Sequence, residues 1–232
     1  MIEVFMSSQS LRALTASVSE IHELQLINTI PTRIGFNSSG LIRAAGRASV
    51  VLLCSHFEKY IHAINEEAAD FINSTGITGE QVPQIIRLIH SRDPVEDLAE
   101  TGWTRRANKL EQFVGTESWL WSQNMVGQIQ PERILAFMKS PKPDNILRYY
   151  GFWGINDIFS AITRSQHTRS HLWLQIQTLV DKRNNIAHGD ATSEANKREI
   201  GLYSRAVLTF CERSDQILSK QIHQLFGVSA PW

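Results

Sequence analysis

LVDKRNNIAHGD, residues 179–190, interrupts an apolar helical pattern with polar side chains. It begins as the end of an apolar helix, then sets Arg183, Asn184, Asn185 and His188 where apolar residues are due, before Gly189. On a helical wheel of about 100° per residue with Leu172 at the origin, Ile176, Leu179 and Ile186 fall within roughly 40° of it. Arg183 falls in the same arc. A guanidinium in an apolar stripe is costly unless it meets an anion, a hydrogen-bonding partner or a second subunit, so Arg183 is expected to have a specific role. Asn184 and His188 are four apart and share a face, whereas Arg183 and His188 are five apart and diverge by about 140° on a regular helix. Three routes bring them together: the arginine stem reaches round, the last turn distorts before Gly189, or two copies of the segment meet across a two-fold axis.

Outward from this segment the pattern stays helical. In RASVVLLCSHFEKYIHAINEEAADFIN, residues 47–73, Val50, Cys54, Phe57, Ile61, Ile64, Ala68 and Phe71 recur at alternating steps of three and four, and Gly76 and Gly79 follow. A C-terminal helix is expected to start after Asn196, with Glu199 completing a capping box, and to bury Ile200, Tyr203, Val207, Phe210, Ile217 and Leu225. Leu14, Val18, Ile21 and Leu24 mark an N-terminal helix. The fold class is therefore all-α, a bundle of four long helices forming one domain over residues 1–232. Breaks at Pro83, Pro94, Gly102, Gly115, Pro131, Pro141 and Pro143 make residues 75–160 an inserted lobe of short helices.

Composition narrows the class without naming a function. Lys plus Arg and Asp plus Glu are 23 each, so any nucleic-acid contact must come from a local basic patch. Cys54 and Cys211 sit inside apolar patterns, as reduced thiols of a cytoplasmic protein do. The N-terminal stretch MIEVFMSSQSLRALTASVSEIHELQLIN lacks the architecture of a leader, and no run is apolar enough for a membrane span. His167 and His171 are four apart with no third ligand in view, and Gly-rich phosphate loops, G-x-S-x-G and paired-cysteine motifs are missing. No cofactor or metal is expected.

Arg183-Asn184-x-x-x-His188, followed by Gly189, resembles the R-polar-x-x-x-H signature of HEPN-domain ribonucleases, and within that all-helical superfamily most resembles the RiboL-PSP-HEPN branch. RASVVLLCSHFEKYI, residues 47–61, is similar to the first core helix of that branch, and the helix from about 197 to 225 fits the one after the motif. The likeness covers roughly residues 40–73 and 165–225. It implies metal-independent RNA cleavage at a site shared by two protomers of a homodimer, in a toxin or anti-phage role with an antitoxin or defence-system partner.

Such cleavage needs the ribose 2'-hydroxyl deprotonated, the charge on the phosphorane offset and the 5'-oxygen protonated. His188 suits the proton transfers, since an imidazole titrates near neutral pH. Arg183 suits the phosphate with its planar fork of donors. Asn184 is expected to orient His188 or to donate to a phosphate oxygen, and Glu58 to hold Arg183 before substrate binds. Arg43, Arg47 and Lys182 are the expected RNA contacts, with Arg164 and Arg169 further along and Trp153 and Trp173 as stacking or core aromatics. Two plainer readings stand beside these. Arg183 and His188 can serve a helix C-terminus with Gly189 as its left-handed cap, and the bundle can be a catalytically silent binding subunit.

Overall fold

Helix periodicity and helix caps account for the long elements. In a computed structural model, which describes residues 7–26 and 38–232, the chain forms α1 (Gln9–Leu24), α2 (Ser38–Ser74), α3 (Gln84–Glu100), α4 (Trp103–Trp121), α5 (Pro131–Ile134), α6 (Pro143–Phe152), α7 (Ile158–Ile162), α8 (Gln166–Ala187) and α9 (Lys197–Phe226). Part of the N-terminal stretch inspected for a leader, residues 1–6 and 27–28, lies outside the described residues. Among the described residues no helix is long and apolar enough to cross a membrane.

Val50, Cys54, Phe57, Ile61, Ile64 and Ala68 of α2 are wholly buried, and Phe71 partly so. Gly76 takes a positive φ just beyond its end, a conformation that side-chain-bearing residues adopt at a cost. α9 opens on the expected box: the Asn196 side chain accepts from Glu199 N–H at 3.0 Å, and the Asn196 N–H donates to the Glu199 carboxylate at 2.9 Å. Its buried stripe runs through Ile200, Tyr203, Val207 and Phe210, then passes to Cys211, Leu218 and Ile222, leaving Ile217 and Leu225 only partly buried at its edge. The drift follows from 3.6 residues per turn, which carries a 3-4 stripe slowly around a long helix. α1, α2, α8 and α9 pack together, and the entry to α1 is tied to α9, where Ser8 donates from its N–H and hydroxyl to the Asp215 carboxylate. Burial raises the Asp215 carboxyl above its ordinary range, with those Ser8 bonds pulling the other way.

The stretch 75–160 divides by its packing. α6 and α7 enter the core shared with α8 and α9. Phe210 lies 5.8 Å from Phe57, 6.1 Å from Tyr150 and 5.3 Å from Phe159 between ring centroids, so it joins α2, α6 and α7 to α9. Trp153 is wholly buried, and Trp173 packs at 5.1 Å on Phe159, which makes both core aromatics. α3 and α4 pack on each other, with α5 against α3. Two expected breaks fall inside helices: Pro94 in α3 and Gly115 in α4. Pro94 supplies no N–H to the carbonyl of His90, four residues back. Arg133 Nη1 donates to that oxygen instead, at 3.1 Å, so the helix continues through the proline.

The same arginine meets Glu117 at 2.5 Å, and Glu117 meets His90 Nδ1 at 2.8 Å, with both His90 and Glu117 buried. Nε2 of His90 accepts the Gln130 N–H at 3.0 Å, which places the ring hydrogen on Nδ1 and the imidazole in its neutral form. Burial lowers the His90 pKa, against the pull of Glu117.

Two substitutions test this packing. Phe210→Ala should destabilise the fold by about 3–5 kcal/mol through lost burial and a cavity, read from urea unfolding. Arg133→Met should cost about 3–5 kcal/mol in the same assay, because Glu117 is left as a buried charge without its cation.

Candidate functional site

The end of α8 is built by its backbone. His188 is the C-cap, and its N–H reaches the Asn184 carbonyl at 2.9 Å. Gly189, with φ +85°, donates to Ile186 O at 3.1 Å, and Asp190 N–H donates to Asn185 O at 3.0 Å. That pair of bonds is a Schellman closure, which needs a left-handed residue at Gly189 and satisfies carbonyls the helix end would otherwise orphan. The plainer reading of AHG as a helix terminus thus describes the backbone here. It leaves the side chains to be placed.

Arg183 sits at the margin of the buried α8 face formed by Leu172, Ile176, Leu179 and Val180. Its Nη2 lies 3.4 Å from Glu58 Oε2 on α2, and its Nη1 donates to Asn184 Oδ1 at 3.1 Å. The Arg183 and Glu58 side chains keep 29% and 26% of their surface exposed, so the pair is partly desolvated yet open to an approaching anion. Asn184, expected to orient His188 or to donate to a phosphate oxygen, accepts from Arg183 through its amide oxygen. Beneath them lies Cys54: burial pushes its thiol up to about 12, while the Arg183 charge pulls down and Glu58 pushes up. A thiol held neutral in this way is packing rather than a nucleophile. His188 is exposed at the helix end. The structure thus brings Arg183, Asn184 and Glu58 together and presents His188 at the terminus of the same helix.

Of the basic residues expected at RNA, Arg43, Arg47, Lys182 and Arg169 are engaged within the chain, whereas Arg164 is exposed. Arg43 pairs with Glu194 at 3.3 Å on the surface. Arg47 Nη1 donates to the carbonyls of Asp190 at 2.6 Å and Ser193 at 2.8 Å. Lys182 meets the Glu199 carboxylate at 2.7 Å and donates to Glu194 O at 2.8 Å. Burial works against the Lys182 charge, but the hydrogen bond and charge of Glu199 prevail and hold its pKa above the ordinary lysine range. Arg169 is spent on Ser160 Oγ at 2.6 Å.

Glu194, Glu199 and Gly46 are the residues that motif reading passed over as parts of the site. Gly46 had a visible signal: a glycine inside a helical pattern costs about 1 kcal/mol relative to alanine and so marks a close approach. A Cβ there would overlap the carbonyl oxygen of Ala195. Among the described residues no cluster of three or more His, Cys, Asp or Glu side chains is placed to hold a metal ion.

The family model described as RiboL-PSP-HEPN matches residues 13–220. The match runs from α1 into α9 and takes in the middle helices, which carry no recognisable motif of their own. No curated protein and no solved structure matches the chain. With its bundle all-helical and the match spanning most of its length, the chain belongs to the RiboL-PSP-HEPN family of HEPN-domain proteins.

Proposed function

We propose that this protein is a metal-independent endoribonuclease of the HEPN type, acting as a cytoplasmic homodimer in a toxin or anti-phage role. The observation that carries the reading is Arg183, held at 3.4 Å by Glu58 and at 3.1 Å by Asn184, on the helix that ends in the exposed His188. Preorganised donors facing a position where charge develops are the largest single source of catalysis in such reactions. In the proposed step the ribose 2'-oxygen attacks phosphorus, its proton passes to a base, and the bond to the 5'-oxygen breaks as that oxygen takes up a proton. The products are a 2',3'-cyclic phosphate and a 5'-hydroxyl. His188 carries proton transfer, Arg183 offsets the phosphorane charge, and Glu58 and Asn184 hold Arg183.

Direction supports the dimer. Within one subunit Arg183 turns toward α2 while His188 sits five residues on, about 140° around the helix. A second copy across a two-fold axis supplies the other half of a site that can embrace one phosphodiester. Arg43 and Lys182 flank the helix end as RNA contacts. Their pairing with Glu194 and Glu199 is also what favours the second reading, a catalytically silent HEPN subunit that binds a partner protein, because neutralised cations attract phosphate weakly.

Incubation of purified protein with a labelled single-stranded oligoribonucleotide in chelator decides between them. Cleavage to cyclic-phosphate ends should fall by about 10²-fold or more in His188→Ala and in Arg183→Ala; mutants as active as the wild type would remove this site. Glu58→Gln should lower kcat by a smaller factor, about tenfold, and leave stability within about 1 kcal/mol, since a solvent-accessible ion pair at the rim of the core contributes little to folding. In cells, expression of the wild type should arrest growth and His188→Ala should relieve it; equal growth of both strains, with a stable partner in pull-down, is the outcome of the silent-subunit reading.

A further inference from the structure

The loop that leaves His188 is fastened to two helices. Arg47 on α2 spends one nitrogen, Nη1, on both Asp190 O and Ser193 O, at 2.6 and 2.8 Å. Asp190 is the residue whose N–H closes the Schellman pair onto Asn185, so Arg47 grips the last link of the turn that sets the His188 backbone. The Asp190 carboxylate curls the loop by accepting from Thr192 N–H at 2.8 Å and Thr192 Oγ1 at 2.7 Å. Lys182 fastens the loop to α8 through Glu194 O at 2.8 Å. Finally the Ala195 carbonyl rests on α2 at Gly46, where no side chain fits.

We infer that Arg47 is a positioning residue for His188: by tying Asp190 and Ser193 to α2, it sets the direction in which the imidazole leaves the end of α8. The inference rests on the reading of His188 as the proton-transfer group, and it takes Arg47 out of the set of phosphate contacts. A phosphate-binding arginine offers its fork to solvent; Arg47 is half-buried, with one arm of that fork committed to two carbonyls. Gly46 serves the same end from below, since only a residue without a side chain lets the loop lie against α2 within reach of Arg47. A displacement of a reacting group by about 1 Å is enough to cost up to about 10²-fold in rate.

Two variants separate positioning from grip. Arg47→Met removes the tie together with the charge, while Gly46→Ala pushes on the loop at Ala195 and removes no charge. Gly46→Ala also raises the helix propensity of α2, so it keeps the test open if Arg47→Met does not fold. In protein labelled at histidine, the His188 ring resonances, assigned by their loss in His188→Ala, should move in both variants. Amides 189–196 should exchange faster with solvent. On a labelled single-stranded oligoribonucleotide in chelator, kcat should fall about tenfold or more in both, with KM within about twofold of wild type. His188 resonances that stay in place in Gly46→Ala, or in folded Arg47→Met, overturn the inference. So does a raised KM with a weakened salt dependence and unchanged kcat in Arg47→Met, the behaviour of a phosphate contact. If the wild type cleaves no RNA, the nuclease reading falls alone, and the resonances still decide what Arg47 does.

Discussion

The packing of α2 against α8 and α9 is the constraint from which the site follows. Cys54 and Phe57 are wholly buried on α2, and Phe57 meets Phe210 of α9 edge to face at 5.8 Å. Glu58 is next along and so about 100° around the helix from Phe57, which places its carboxylate at the rim of the core instead of inside it. α8 brings Arg183 to the same rim along its axis, on the face of the buried Leu179 but one turn nearer the helix end. The two charges meet where the core ends and solvent begins. There the pair adds little to stability; its effect is to hold a guanidinium in one place at the end of a helix.

A second constraint acts at that helix end. Carbonyls of the last turn have no partner within the helix, and Gly189 resolves this by turning left-handed so that its own N–H and that of Asp190 fold back. The loop that follows then runs along α2, where Gly46 leaves it room and Arg47 supplies donors. Backbone satisfaction and site geometry are one problem here. The cluster of buried His90 and Glu117 with partly exposed Arg133 repeats the principle in the α3–α4–α5 region: a proline removes a helix bond, and a distant arginine replaces it while neutralising a buried carboxylate.

Much of this was legible in order of sequence. The 3-4 stripe of α2, the Asn196–Glu199 box and the Gly189 terminus are relations between residues three or four apart, and a helix turns such spacing into geometry without help from the rest of the chain. For the same reason Arg183, Asn184 and His188 could be singled out from one short segment. A proline or glycine in the sequence is not by itself a break, because whether Pro94 ends a helix depends on whether something else satisfies the His90 carbonyl. Gly115 likewise sits within α4.

From the amino-acid sequence came the four long helices α1, α2, α8 and α9 and the faces they bury. Beyond the expected Arg183–Glu58 pair, the partners of the cations came from the tertiary structure. Arg183 and Glu58 are 125 residues apart and Arg47 and Asp190 are 143 apart, and no local spacing encodes such meetings. Each depends on which turn of α2 faces α8 once the apolar stripes have closed. A charged side chain left at that seam takes whatever partner the closure brings within reach, a carboxylate for Arg183 and a pair of loop carbonyls for Arg47.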